Sequence, residues 1–168
     1  MMPTVEEGLK EAFAGESQAN RKYLAFAEKA DKDGFPQVAK LFRAAAAAET
    51  VHAHNHLKVL GGVKSTIENL KAAVEGEHYE FTSMYPEFIE AAKAEGNKAA
   101  ERTFNFANEV EKIHHKLYEN AVKTVESGKD LKKQVIHICP VCGYTHEGAL
   151  PDKCPVCGAL KKVFKKIE

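Results

Sequence analysis

Six metal-ligating side chains, Glu16, Glu49, His52, Glu77, Glu111 and His114, fall at helix positions where a soluble bundle would bury Leu or Ile. A carboxylate is expensive to desolvate unless a cation or a partner compensates it. The residues flanking them are apolar at the helical period: Leu9, Phe13, Tyr23 and Ala27 around Glu16; Leu41 and Ala45 before Glu49; Leu70, Ala73, Met84 and Phe88 around Glu77; Phe104, Ala107, Tyr118 and Ala121 around Glu111. Each seam is apolar at its ends and acidic near its middle, as a cation held at mid-bundle requires. A mixture of hard oxygen donors and imidazole suits iron or manganese better than a thiolate-seeking metal.

The spacing adds to this. In Glu49-x-x-His52 and Glu111-x-x-His114, residues i and i+3 share a helix face, so both side chains reach one metal region. One such pair is common among solvated residues. Two copies, each preceded by a lone Glu one helix earlier, match the ligand pattern of carboxylate-bridged two-metal bundles. A weak internal repeat accompanies them: Glu16 to Glu49 is 33 residues and Glu77 to Glu111 is 34, while Tyr23 follows Glu16 by seven and Tyr85 follows Glu77 by eight. Glu80 stands one turn beyond Glu77 and is a further candidate ligand, against the alternative of an ordinary surface carboxylate. Tyr23 and Tyr85 are either core filler or phenols bonded to metal-bound carboxylates. His54, His56 and His115 stay open between solvated, supporting and ligating roles, and Glu109 reads as solvated.

Residues 5–127 read as four helices, making the fold class mainly α. Thr4-x-x-Glu7 and Ser65-x-x-Glu68 are capping boxes opening the first and third. Asp33-Gly34, Gly61-Gly62 and Gly96-Asn97 separate the four, and Pro36 fits the first turn of the second. The small Ala44–Ala48 run would let neighbouring helices approach closely. Pro86 lies inside the third helix, where it should kink the helix or leave a carbonyl unpaired.

After Gly128 the composition changes. Residues 129–134 are a charged linker, Val135–Ile138 is strand-like, and two Cys-Pro-Val-Cys-Gly turns follow, with all four cysteines at 139, 142, 154 and 157. That is metal-site spacing rather than a disulfide framework. Residues 135–168 are too few to build a core without a metal. A site of four thiolates accepts structural zinc or redox iron. The domains are therefore expected at 1–128 and 135–168.

Charge and hydropathy narrow the partners. Lys and Arg number 24, as do Asp and Glu, so no electrostatic nucleic-acid binder is expected. No apolar run approaches the roughly 20 residues of a membrane span. The N-terminal MMPTVEEGLKEAF is acidic early and lacks an apolar leader-like core, so a cytoplasmic location is expected.

EAFAGES (11–17) with Tyr23, AETVH (48–52), GEHYEFTSMYP (76–86), EVEKIH (109–114) and the tail CPVCGYTHEGALPDKCPVCG closely resemble the rubrerythrin family over essentially the whole chain. The resemblance implies a ferritin-like four-helix bundle holding two non-haem irons, followed by a small rubredoxin-like β/knuckle domain holding one iron on Cys139, Cys142, Cys154 and Cys157. It implies a peroxidase that reduces hydrogen peroxide to water. Electrons would come from rubredoxin or an NAD(P)H-dependent reductase through the cysteine-bound iron. Glu49 and Glu111 would bridge the irons, Glu16 would be terminal on one, and Glu77 and His114 on the other. Glu80 and His52 would exchange on the first iron between oxidised and reduced states, and Tyr23 and Tyr85 would match the active-site tyrosines. Competing readings are an iron-oxidising, iron-handling relative of ferritin and a non-enzymatic zinc-ribbon adaptor. The four-cysteine domain disfavours the former and the carboxylate seam the latter.

One feature sets the expected assembly. A ferritin-like bundle runs its second and third helices parallel, which asks the connection to climb about 33 Å. Gly61–Ser65 can span only about 20 Å. The resemblance is therefore to short-linker rubrerythrins, which exchange helix pairs between the subunits of a homodimer.

Overall fold

The computed structural model describes residues 2–168. By internal contacts the chain divides into two compact units, one ending at Lys64 and the other beginning at Ser65. Among the described residues, no helix is long and apolar enough to cross a membrane.

The first unit is a helical hairpin of α1 (Val5–Lys32) and α2 (Pro36–Val59). The expected capping box closes α1 at its start: the Thr4 hydroxyl accepts from the Glu7 N–H, and the Glu7 carboxylate accepts from the Thr4 N–H at 2.7 Å. At its end, the Phe35 N–H returns to the Ala30 carbonyl across Gly34, and Pro36 begins α2. The two helices meet along small side chains. Ala27 and Ala30 on α1 pack against Ala39 on α2, and Ala39, Ala46 and Ala53 recur every seven residues along α2 and are all buried. So little side-chain volume brings the backbones close, and a larger residue at Ala46 would overpack by about 1–3 kcal/mol. Asn20 locks the register: its buried Nδ2 donates to the Ala46 carbonyl at 2.7 Å and the Thr50 hydroxyl at 2.8 Å.

The second unit opens with the other expected capping box, Ser65 with Glu68, at the start of α3 (Thr66–Tyr79). The predicted third helix is not uniform. Residues Glu80–Met84 form one π turn, and α4 (Tyr85–Ala94) resumes the α geometry. Pro86 is the reason. It has no N–H for the Thr82 carbonyl, and its ring would collide with that carbonyl in a regular α-helix. The wider turn relieves both conditions, with the Tyr85 N–H bonding back to the Glu80 carbonyl. After Gly96 the chain turns into α5 (Lys98–Glu126), whose Asn97 side chain caps the Ala100 N–H at 3.0 Å.

The hairpins repeat each other in detail. Tyr23, Phe26 and Phe42 form a ring cluster with centroids 5.6–6.3 Å apart. Tyr85, Phe88 and Phe104 form its counterpart at 5.6–6.4 Å. Phe42 and Phe104 each precede the Glu of their Glu-x-x-His pair by seven residues.

The tail is a three-stranded antiparallel sheet in the order β2-β1-β3, from β1 (Ile136–Ile138), β2 (Thr145–Glu147) and β3 (Lys165–Ile167). Ile138 pairs with Thr145. The tail lies against α5: Val110 is 3.7 Å from where a Cβ on Gly143 would be.

Candidate metal centre

Each helical hairpin gathers three ligating side chains. On the first, Glu16, Glu49 and His52 present donor atoms within 4.8 Å of one another, and on the second, Glu77, Glu111 and His114 do the same. The i, i+3 spacing of each Glu-x-x-His pair puts both groups on one face: His52 Nδ1 lies 2.9 Å from Glu49 Oε2, and His114 Nδ1 lies 2.7 Å from Glu111 Oε2. The lone glutamates complete each trio, with Glu16 3.9 Å from His52 Nδ1 and Glu77 3.8 Å from His114 Nδ1.

The second trio is electrostatically tense. Burial, a hydrogen bond with Glu111 and that residue's charge push the Glu77 carboxyl up to about 7. Burial also works to raise Glu111, but its hydrogen bonds with His114 and Glu77 outweigh this and bring it down. The hydrogen bond to Glu111 is the main reason His114 holds its proton more tightly than usual. Two half-buried carboxylates sharing one proton beside an imidazole are a set that a divalent cation would neutralise, with the donor chemistry iron uses.

Glu80 begins the π turn beside this trio without joining the cluster. Burial raises its carboxyl, and the Glu111 charge adds to the effect. Tyr85 is half-buried, and its phenol is raised by burial and by the charges of Glu80, Glu111 and Glu77, so it stands within the field of the same carboxylates. Tyr23 is half-buried in the other hairpin's aromatic cluster. The remaining candidates fall elsewhere. His54 is exposed, His115 sits against His78 and Phe81, and Glu109 pairs with Lys112 on an exposed face.

The four cysteines are free thiols whose sulfurs all lie within 4.8 Å of one another, with Cys139 to Cys157 at 3.6 Å and Cys142 to Cys154 at 3.5 Å. A tetrahedral metal with bonds near 2.3 Å needs sulfurs about 3.8 Å apart. The two knuckles are alike. The Gly143 N–H bonds the Cys139 carbonyl at 2.8 Å, and the Gly158 N–H bonds the Cys154 carbonyl at 2.9 Å. Both glycines have positive φ, 86° and 76°, which a side chain would strain. Burial opposes ionisation at Cys154, but the N–H groups of Cys157 and Val156 point at its sulfur and bring the thiol down. The same N–H groups would hold a thiolate on a metal.

Thr145 escaped the sequence reading. Its hydroxyl lies 2.9 Å from His114 Nε2, linking the tail to the helical trio. A threonine in a strand carries no ligand signal, and the register that brings it to α5 is tertiary.

Both segments of the chain have known relatives. The family model described as Rubrerythrin matches residues 7–122, and the model described as Rubrerythrin, rubredoxin-like domain matches residues 137–165. Rubrerythrin-2 of Clostridium acetobutylicum is 38% identical over 94% of this chain and 93% of its own length. Nigerythrin of Nitratidesulfovibrio vulgaris is 38% identical over 94% of this chain and 84% of its own. The fully reduced, all-ferrous structure of nigerythrin aligns over 99% of this chain and 88% of that one, with a TM-score of 0.59 at 34% identity.

Proposed function

The chain belongs to the rubrerythrin family, and from that premise we propose that it is a cytoplasmic peroxidase reducing hydrogen peroxide to two waters with two electrons and two protons. The observation that carries the reading is the pairing of two Glu/Glu/His trios with a four-cysteine cluster in one chain. A storage or scaffolding role has no use for both. When bound, iron supplies the one-electron steps: two ions at the carboxylate–histidine trios and one at the cysteines.

The residues divide the work. Residues 1–128 form the peroxide-reducing domain and residues 135–168 the electron-accepting one, joined by 129–134. Cys139, Cys142, Cys154 and Cys157 would hold an iron that supplies one-electron relay chemistry, with rubredoxin or an NAD(P)H-dependent reductase as the donor. Glu49 and Glu111 would be shared between the two helical irons, with Glu16 helping to hold one and Glu77 and His114 the other. Glu80 and His52 would be alternative ligands of one iron. An anionic carboxylate suits the ferric state and a neutral imidazole the ferrous. Tyr23 and Tyr85 position the carboxylates and the peroxide by hydrogen bonding.

The working form is a homodimer in which α1 and α2 of one subunit complete a bundle with α3, α4 and α5 of the other. Chain reach supports this. Glu49 lies ten residues before the end of α2 and Glu77 eleven after the start of α3. A parallel pairing within one chain would require about 30 Å of climb from a connection spanning about 20 Å. Leu41 and Val59, about five turns apart on one face of α2, are exposed, with relative accessibilities of 69% and 71%. A partner helix pair would cover such a face.

Turnover with NADH, a reductase and rubredoxin tests the function. One NADH should be consumed per peroxide, with the red iron–thiolate band bleaching on reduction and returning on peroxide addition. Glu80→Ala should keep its iron and lose about tenfold or more in kcat, roughly 1.4 kcal/mol of barrier. An iron–thiolate band that stays bleached under peroxide would overturn the function, and full turnover in Glu80→Ala would overturn the ligand exchange.

A further inference from the structure

The two histidines that the repeat makes equivalent are held differently. His114 is fixed at both ring nitrogens: Nδ1 faces Glu111 at 2.7 Å and Glu77 at 3.8 Å, while Nε2 meets the Thr145 hydroxyl at 2.9 Å. His52 is fixed at one. Its Nδ1 meets Glu49, and among the described residues of its own hairpin no partner is found for Nε2.

The direction of the Thr145 bond follows from the hydroxyl's own partner. A hydroxyl has one proton to donate. With that of Thr145 directed to the Gly143 carbonyl at 3.3 Å, an oxygen lone pair faces His114, and in that arrangement Nε2 carries a proton and donates it. The nitrogen left for a cation is Nδ1, which already faces both carboxylates, and a cation there would replace the proton shared with Glu111. Largely apolar surroundings favour this bond. It lines a cavity of about 280 Å³ with Leu117, Leu131 and Ile136. Pairing with Ile138 of β1, the strand that leads into Cys139, fixes Thr145.

We propose that Thr145 is a positioning residue for the helical metal site: the cysteine-bearing tail reaches across to α5 and holds His114 in the Nε2–H tautomer, so that one histidine is a fixed Nδ1 ligand while its repeat partner His52 stays free to move. The two Glu-x-x-His pairs are alike in sequence, and the tail makes them unlike in mobility. The proposal rests on the ligand roles given above, and it gives the exchange of His52 a structural cause. Groups that hydrogen-bond a ligating histidine from behind set its ring orientation and basicity, and losing one typically costs about 10–100-fold in metal affinity.

Two measurements on the full chain test it, and neither needs peroxide. In zinc-loaded, 15N-labelled protein, long-range proton–nitrogen spectra should show His114 protonated at Nε2 with metal on Nδ1. The reverse tautomer would overturn the proposal. In iron-loaded protein, Thr145→Val should release one of the two helical irons to a ferrous chelator about 10–100-fold faster, with the red iron–thiolate band intact, and Thr145→Ser should restore slow release. Parent-like release from Thr145→Val, or equally fast release from Thr145→Ser, would also overturn it. If Thr145→Val loses its iron–thiolate colour, the parent tautomer and Thr145→Ser decide. A parent protein inert to peroxide yet showing Nε2–H and slow release would refute the peroxidase reading while leaving this one standing.

Discussion

The backbone N–H of Tyr85 donates to the carbonyl of Glu80, five residues back instead of four. In a regular α-helix, eight residues carry a side chain about 80° past its starting face, whereas seven leave it about 20° short. The π turn absorbs one residue. Tyr85 therefore stands relative to Glu77 much as Tyr23 does relative to Glu16, seven residues on. The same inserted residue accounts for the 34-residue spacing from Glu77 to Glu111 against 33 from Glu16 to Glu49.

Pro86→Ala tests whether Pro86 holds that turn. An alanine N–H can satisfy the Thr82 carbonyl, so the helix should regularise and gain about 1 kcal/mol. Tyr85 would then rotate by about one residue, roughly 100°, away from the carboxylates. The expected result is a higher Tm with at least about tenfold lower kcat. A more stable protein with undiminished turnover would show that the π turn is not needed for the chemistry.

The chain announced its ligand trios because each lies within one helix or one hairpin. The Glu-x-x-His pairs, the lone glutamates and the cysteine knuckles all follow from spacing along the chain, as do both capping boxes. Pro86 flagged a disturbance in the third helix, but periodicity alone could not say that it would be a π turn, although the mismatch of seven against eight was already a trace of it. Thr145 could not be found in this way. Its role depends on a strand register and on the docking of that strand against α5, and neither leaves a pattern around residue 145.

Relay through the tail can be separated from chemistry at the helices. Cys142→Ser removes one of four thiolates and should abolish the red band and NADH-driven turnover. Chemically reduced, the same variant should still consume about one equivalent of peroxide per pair of helical irons. NADH-driven turnover persisting without the cysteine-bound iron would remove the tail from the electron path.

The carboxylates also predict how the protein responds to pH when stripped of its helical cations. Glu77 sits at about 7, above its ordinary value of 4.5, so its contribution to stability is full below about 4.5 and is lost as pH rises through about 7. His114, also raised, loses its contribution in the same direction. Glu111 is lowered, so its contribution disappears only on acidification below the ordinary carboxylate range. Between about pH 5 and 8 the stripped protein should lose about 1 kcal/mol, the linkage value discounted for solvent screening. Added ferrous ion should reverse the slope, because deprotonated ligands bind metal better. Helical melts at several pH values, with and without metal, measure both slopes, and a stripped protein that gains stability over this range contradicts the assignment.

Subunit exchange can be tested by mixing two inactive proteins, Glu49→Ala and Glu111→Ala, unfolded and refolded together. If α1 and α2 of one chain complete the site of the other, a mixed dimer carries both lesions in one site and none in its second. Random assortment makes half of the dimers mixed, so about a quarter of all sites should be intact and activity should return in that proportion. If each chain builds its own site, every site keeps one lesion and mixing restores nothing. Each protein refolded alone is the control, since exchange within a single variant still leaves one lesion per site. Exchange also makes metal binding and folding depend on association, so parent activity should fall on dilution below the dimer's dissociation constant and recover on concentration. An absence of recovered activity in mixtures proven to contain mixed dimers would place all six ligands on one chain, and would require the connection after Val59 to span far more than six residues of extended backbone allow.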